Sequence, residues 1–281
     1  MLIDEILESR AIEEWSFGLP AEELRRLFQQ AFVVRCQNVW DYFSANLVGK
    51  AFARDKFPNV APSMPKMWFE WTTEPIRIED PTTAIPQSGR IKFGVLCLSV
   101  DLLELGTEGL KDIRESLGRV GINSLMDTRW VVSGLVFSRV LLPGETPRAL
   151  SRIDWRSGPN GECLSSAANG DFAHTLAPDF EGDKVAMFTS ILTAASVCWQ
   201  ALSFMHCKSV RIEKSPAIPE KLRRARERNG KHPLFRHHTV IIDPSRPVAG
   251  SAANGESAGN GKALHICRGH FKDFRERGLF G

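Results

Sequence analysis

The sequence lacks the motifs by which several large enzyme classes are recognised. It contains no Gly-x-x-x-x-Gly-Lys-Ser/Thr loop, no strand-linked Gly-x-Gly-x-x-Gly turn and no His-Glu-x-x-His helix motif. These motifs hold nucleotide phosphates, dinucleotides and catalytic zinc, so their absence argues against P-loop NTPases, Rossmann-type dehydrogenases and zincin-type proteases. The sequence therefore contains no motif of these classes from which a reaction could be inferred.

Closely spaced cysteines are also missing. Six cysteines are spread along the chain without a Cys-x-x-Cys pair. Such spacing is typical of reduced thiols in a cytoplasm and not of a disulfide framework. The N-terminus begins with an acidic, helix-like run instead of a basic segment followed by an apolar core, so we predict no secretory signal. Both features predict a cytoplasmic protein.

One long segment in the second half of the chain contains no charged side chain. Val185 to Cys207 contains no Asp, Glu, Lys or Arg over 23 residues, a length that could span a bilayer. Recurrent polar side chains, among them Thr193, Ser196 and Gln200, weaken membrane insertion. We therefore predict a buried core helix and no membrane partner.

The pattern of apolar residues predicts an α+β fold. Residues 2–14 have helical spacing, and a longer helix is predicted from Pro20 to about Phe52. Met67–Trp71, Arg90–Asp101 and Arg129–Arg139 are predicted strands. We expect a largely antiparallel sheet with N-terminal helices, one long buried apolar helix and a C-terminal strand pair.

A loop-like stretch suggests where the chain could divide. Residues 143–170 are dense in Gly, Pro, Ser and Asn. This composition predicts a helical and sheet body over 1–170, followed by 171–281 with the apolar helix, a basic helix and a His- and Arg-rich strand pair. A single domain is the alternative.

The distribution of charge is strongly uneven. Residues 205–281 hold 16 Lys and Arg against 7 Asp and Glu, so they carry about +9, whereas residues 1–204 carry about −6. Pro219 and Gly230 delimit a predicted basic helix. Clustered cations gain most from a polyanion, so we predict nucleic-acid contacts from the helix. Its candidate residues are Lys221, Arg223, Arg224, Arg226 and Arg228. Of these, Lys221, Arg224 and Arg228 are spaced at i, i+3 and i+7 and should share one side of the helix.

The predicted strand pair consists of Phe235–Asp243 and Ala263–Phe271, joined through an insert rich in Gly, Ser, Ala and Asn. Side chains alternate between the two faces of a strand. Arg268, His270 and Lys272 should therefore share one face of the second strand.

These three side chains could cleave an RNA phosphodiester without a metal. His270 could transfer a proton near neutral pH, while Arg268 and Lys272 stabilise the charge on the phosphate. His237 or His238 on the preceding strand could supply the second proton-transfer group. A charged strand face that serves solubility is the structural alternative.

The other face of the same strand suggests a zinc site as a weaker alternative to a protein without cofactors. His265 and Cys267 would lie together, and Cys207 or His206 at the end of the apolar helix could complete a soft ligand set. Packing of Cys267 as a small core residue is the competing interpretation.

Two short segments resemble those of a group of bacterial and phage-borne proteins without an established activity. They are Phe204-Met-His-Cys-Lys208 and Ala263-Leu-His-Ile-Cys-Arg-Gly-His-Phe-Lys272, the latter followed by Gly278-Leu-Phe-Gly281. The group is characterised by an ending of H-x-C-R-G-H-F-K and then L-F-G, usually followed by a further aromatic strand. The resemblance implies that this strand lies beyond the present sequence or that the sheet is completed differently.

Charge and motif together give a functional prediction. We expect a nucleic-acid-binding protein that acts on RNA as a metal-independent endoribonuclease of the toxin or defence type. The alternative is a non-enzymatic phage or prophage accessory protein that binds another protein through its helices and sheet.

Overall fold

Among the residues that the structure describes, eight of ten strands form one sheet, and helices cover both of its faces. A computed structural model describes residues 1–9, 12, 19–46, 59–74, 76–78, 87–119, 125–164, 173–176, 184–207, 210–231 and 233–242. The helices are α1 (Leu2–Glu8), α2 (Ala21–Gln30), α3 (Gln37–Asn46), α4 (Thr107–Arg119), α5 (Lys184–Met205) and α6 (Glu220–Arg228). The strands are β1 (Phe32–Arg35), β2 (Lys66–Thr72), β3 (Ile76–Ile78), β4 (Gln87–Gly89), β5 (Ile91–Asp101), β6 (Trp130–Val140), β7 (Arg148–Ser157), β8 (Ala173–Leu176), β9 (Val210–Lys214) and β10 (His237–Ile242).

The sheet is antiparallel except around its shortest internal strand. Its order is β8-β7-β6-β5-β2-β1-β10-β9, and β3 and β4 form a separate two-stranded sheet. β1 pairs in parallel with both β2 and β10, whereas the remaining pairs of the large sheet are antiparallel. The α+β fold with a largely antiparallel sheet is therefore confirmed.

The larger core lies between one sheet face and helices α3 and α5. Phe69, Val95, Trp155 and Val240 point from the sheet into this core, as does Val34 from β1. α5 is buried along most of its length from Ile191 onward, which agrees with the predicted apolar core helix. Of the helices in the described ranges, none combines the length and apolar character that a bilayer crossing requires.

The opposite face carries a smaller core beneath α1 and α2. Val33, Trp68, Leu96 and Phe137 pack there against the apolar sides of the two helices. The ring of Trp68 lies directly over Gly94 on β5, where a side chain would collide with it. Strand alternation thus divides β1 between two cores, with Val33 in one and Val34 in the other.

Strands from both sides of the boundary drawn near residue 170 share the sheet. β9 and β10 follow that boundary in sequence, yet β10 pairs with β1 at Val33–Arg35. β8 pairs with β7, and α5 packs on the core formed by the earlier strands. Elements on both sides of this boundary therefore belong to one sheet and one core, while the division of the chain into domains stays a prediction.

One predicted helix is wrong. The stretch from Pro20 to about Phe52 was expected to be one helix, but it contains α2, then β1, then α3. β1 consists of Phe-Val-Val-Arg, whose β-branched residues favour an extended backbone. Pairing on both edges, with β2 and β10, compensates for the interrupted helix.

Candidate nucleic-acid interface

The most specific part of the sequence prediction falls beyond the last described residue, Ile242. His265, Cys267, Arg268, His270 and Lys272 all lie outside the described residues. Their shared face and their chemistry stay predictions. The pairing of Phe235–Asp243 with Ala263–Phe271 also stays a prediction, because the second run lies outside the described residues. The described part of the first run is β10, which pairs with β9 and β1.

Two candidate ligands of the alternative zinc site lie in the described ranges, and each donates a hydrogen bond to a backbone carbonyl. The His206 Nε2 atom donates a hydrogen bond to the Ala61 carbonyl at 2.9 Å, and burial lowers the pKa of this imidazole. The Cys207 thiol donates to the Ser203 carbonyl at 3.3 Å. Within the described ranges, no group of three His, Cys, Asp or Glu residues is arranged to hold a metal ion.

The two histidines of β10 point to opposite faces of the sheet, and His238 points into the interior. Its ring is stacked on Phe32 with centroids 4.0 Å apart, and its Nδ1 atom donates to the Val33 carbonyl at 3.2 Å. Only 6% of His238 is exposed, and burial lowers its pKa. A proton-transfer group must reach its substrate, so the candidacy of His238 is not supported by its position.

His237 occupies the other face and is half-buried. Its backbone N–H donates to the Ser215 hydroxyl at 3.1 Å, which fixes the start of β10. Partial burial lowers the pKa of the imidazole, and the positive charges of Arg35 and the Met1 amine lower it further. His237 is therefore the histidine of this pair that can meet a ligand.

The predicted basic helix is present as α6, and it buries none of its residues. Lys221, Arg223, Arg224 and Arg228 are exposed, whereas Arg226 is half-buried. Lys221, Arg224 and Arg228 line one open cavity of about 640 Å³ together with Glu220 and Glu227. The sequence prediction that these three cations share a side of the helix is thus supported.

Glu220 holds two of the arginines of α6. It accepts hydrogen bonds from Arg223 Nε at 2.8 Å and Nη2 at 2.6 Å, and from Arg224 Nε at 2.9 Å. These bonds lower the pKa of Glu220 to about 2, and the carboxylate in turn raises the pKa of Arg223. Two of the five predicted contact residues are therefore engaged by an internal anion.

A third arginine positions the helix. Arg226 Nη2 lies 2.7 Å from Glu8 Oε1 at the end of α1. This ion pair places α6 on the side of the sheet that α1 and α2 cover. For Lys221 and Arg228, by contrast, no ion pair with another described residue is formed.

No protein-family model, curated protein or solved structure matches this chain. The resemblance to phage-borne proteins stays a prediction. Function must therefore be inferred from the charges, exposures and contacts of the chain itself.

Sequence reasoning missed two cations on the sheet face that carries His237. Arg35 at the end of β1 and Arg211 on β9 are exposed, and they lie on the same sheet face as His237 because of the strand register. No local signal could have placed them together, since Arg35 and His237 are brought close only by the parallel pairing of β1 with β10.

A buried polar cluster between β6 and β7 is a second unpredicted feature. Asp154 is 1% exposed, and its Oδ1 atom accepts hydrogen bonds from the Ser133 hydroxyl and from Arg152 Nε at 3.1 Å. Arg152 Nη2 also donates to the Ser133 hydroxyl at 3.1 Å. The three side chains bond mainly to one another, so we interpret the cluster as structural.

Proposed function

We propose that the chain binds nucleic acid, and RNA in particular, through the exposed face of α6. The observation that carries this proposal is the density of cations in residues 210–231 and 233–236. These residues contain nine Lys and Arg against three Glu, and every one of the nine except Arg226 is exposed. A net charge of +6 on so short a segment favours a polyanionic partner.

The physical basis is release of counterions from the nucleic acid. Each Lys or Arg that neutralises a phosphate displaces condensed cations, which gives an affinity that falls as salt rises. Lys221 and Arg228 are the best-placed residues because neither is held by a described carboxylate. Arg223 and Arg224 would join them once Glu220 releases its hydrogen bonds.

RNA cleavage is the further step of the proposal. It requires one group that takes the proton of the 2′-hydroxyl and another that protonates the leaving oxygen. His237 supports this step as a half-exposed histidine with a lowered pKa, which keeps the ring neutral and able to accept a proton near pH 7. His270, Arg268 and Lys272 remain the sequence-based candidates for the other roles.

The first test removes the two cations of α6 that form no ion pair with a described carboxylate. We expect the double variant Lys221→Ala/Arg228→Ala to bind a fluorescent single-stranded RNA about 25-fold more weakly at 0.1 M salt, because two phosphate contacts are lost. The slope of log affinity against log salt concentration should fall in magnitude by about 1.4, at about 0.7 per contact. Fluorescence anisotropy over a salt series measures both quantities.

The matched control is Lys111→Ala/Arg114→Ala on α4. It also removes one lysine and one arginine from an exposed helix face, but far from α6 in sequence. We expect it to change the slope by less than a third as much as the α6 variant. Equal effects of the two double variants would mean that only net charge matters, and would count against an interface on α6. Absence of salt-dependent RNA binding by the parent protein would count against nucleic-acid binding.

A second test releases the arginines held by Glu220. We expect Glu220→Gln to raise the RNA affinity about fivefold at 0.1 M salt, the effect of one further phosphate contact. Glu227→Gln on the same helix is the control, since it removes the same charge, whereas no described guanidinium donates a hydrogen bond to Glu227. Tighter binding by both variants to the same degree would show that the hydrogen bonds of Glu220 do not restrain the arginines.

A further inference from the structure

Across β1, β10 and β9, the sheet presents a face that carries exposed cations and a partly exposed histidine. The register across β1, β10 and β9 aligns Arg35 with Thr239 and Thr239 with Glu213. His237 lies two residues before Thr239, and therefore on the same face. Arg211 belongs to this face as well, because it is two residues before Glu213. Arg35 and Arg211 are exposed, and His237 and Thr239 are half-exposed.

α6 lies on the same side of the sheet as this face. The Arg226–Glu8 ion pair places α6 beside α1, and α1 covers the sheet face to which Val33 belongs. Val33 is aligned with His237 across β1 and β10. Phe235, just before β10, packs into the same small core as α1 and α2. A strand of nucleic acid that follows α6 could therefore reach His237 and Arg35 without crossing to the other face.

The neighbouring carboxylates do not cancel the charge of Arg35. Glu70 is aligned with it across β1 and β2, but only 6% of Glu70 is exposed. Its Oε2 atom accepts hydrogen bonds from the Leu2 N–H at 2.8 Å and from Trp68 Nε1 at 3.2 Å. Glu213 is paired with Arg211 at 3.3 Å. Within the described ranges, no carboxylate forms an ion pair with Arg35.

The three side chains supply complementary groups for one phosphate. The guanidinium of Arg35 offers several N–H donors and a permanent positive charge. The Thr239 hydroxyl can donate a further hydrogen bond, and the neutral imidazole of His237 can donate one from its protonated nitrogen. Phosphate oxygens are bound well by such sets because charge-assisted hydrogen bonds are the stronger ones.

We propose that Arg35, His237 and Thr239 bind one backbone phosphate of the nucleic acid that α6 contacts. This inference rests on the proposed function and adds a second contact region to it. The bound group is a phosphodiester of a polymer, and a free phosphate or a mononucleotide is the other source of the same chemistry.

The decisive variant is Arg35→Met, tested in the full chain. We expect it to weaken binding of a 12-nucleotide single-stranded RNA about fivefold at 0.1 M salt and to reduce the salt slope by about 0.7, as for one lost phosphate contact. Arg114→Met on α4 is the matched control, because it removes one exposed arginine elsewhere. Equal effects of the two variants would overturn the site.

Proton NMR of His237 supplies a readout that a change of net charge would not produce. The His237→Asn variant identifies its imidazole resonance, which should shift when the 12-nucleotide RNA is added to the parent protein and shift much less in Arg35→Met. Titrations with inorganic phosphate and with a mononucleotide distinguish the sources. If millimolar inorganic phosphate or mononucleotide shifts the His237 resonance as much as RNA does, the ligand of the site is a small phosphate and not a polymer. An unchanged resonance in the presence of saturating RNA would overturn the proposal.

The two proposals fail separately. If the α6 double variant loses affinity while Arg35→Met behaves as Arg114→Met does, the contact at Arg35 is wrong and nucleic-acid binding by α6 stands. If the parent protein shows no salt-dependent RNA binding, both proposals are wrong. Circular dichroism and the midpoint of thermal unfolding verify that each variant is folded as the parent is.

Discussion

Replacement of Gly94 by alanine is expected to lower the free energy of unfolding by about 3 kcal/mol, at the upper end of the usual cost of overpacking a core. A Cβ atom at this position would lie 2.1 Å from Trp68 Cζ2 and 2.2 Å from Cη2. Trp68 is fully buried, and its ring packs against Phe28 and Phe137 with centroids 5.3 and 5.9 Å away. Its indole N–H also donates to Glu70 at 3.2 Å, so the ring cannot move aside without losing this bond.

Urea denaturation of Gly94→Ala and Gly118→Ala measures this effect against a control. Gly118 lies on α4, where a Cβ atom would meet no other atom within 4 Å. Alanine favours a helix over glycine, so Gly118→Ala is expected to raise the free energy of unfolding by up to about 1 kcal/mol. A Gly94→Ala protein with the stability of the parent would show that Trp68 can move, and that the contact between β2 and β5 is loosely packed.

The elements that sequence reasoning found are those whose signal is local. β5 and β6 contain continuous apolar runs that few structures other than a central strand accommodate. α5 was recognised because an uncharged segment of its length must be buried or cross a membrane, and its polar residues favoured burial. α6 was delimited by Pro219 and Gly230 and by its charge. Each of these inferences needed only neighbouring residues.

The features that were missed depend on residues far apart in the chain. β1 has four residues, and its Phe-Val-Val-Arg sequence also fits the apolar stripe of a helix. It becomes a strand because β2 and β10 supply partners on both edges, and β10 begins some 200 residues later. No periodicity in the sequence predicts such pairing. The neighbourhood of Arg35 and His237 was invisible for the same reason.

The two histidines of β10 illustrate the limit of strand alternation. Alternation correctly separates His237 from His238, but it does not indicate which face is covered. The structure shows that β10 continues the core face through Val240, so His238 is stacked on Phe32 and His237 is not buried. Similarly, the spacing of α6 indicated which cations share a side, but not that Glu220 would hold two of the arginines.

The protein-binding alternative has a different structural basis. Leu103 and Met126 are 77% and 79% exposed, which is unusual for large apolar side chains though not for isolated ones. Neither belongs to α6, so binding of a protein there would leave the RNA experiments on α6 unaffected. The salt dependence of binding separates the two functions, since counterion release contributes little to an apolar contact.

The polar cluster between β6 and β7 is the second place where a substitution is expected to change the stability strongly. Asp154→Asn is expected to lower the free energy of unfolding by about 2 kcal/mol. Breaking a fully buried ion pair costs about 3–5 kcal/mol, but the Arg152 side chain is 33% exposed, and solvent screens its charge. The loss arises because the guanidinium and the Ser133 hydroxyl then face a neutral amide instead of a buried carboxylate.

A double variant distinguishes a structural pair from a ligand site. We expect Arg152→Met/Asp154→Leu to recover more than half of the stability lost in Asp154→Asn, since removing both partners leaves no uncompensated charge. Asp112→Asn on the exposed side of α4 is the control and should change stability by less than about 0.5 kcal/mol. RNA affinity should be unchanged in all three proteins at a temperature where each is folded. A loss of affinity in Asp154→Asn without a loss of stability would mean that this cluster, and not α6 alone, contacts the nucleic acid.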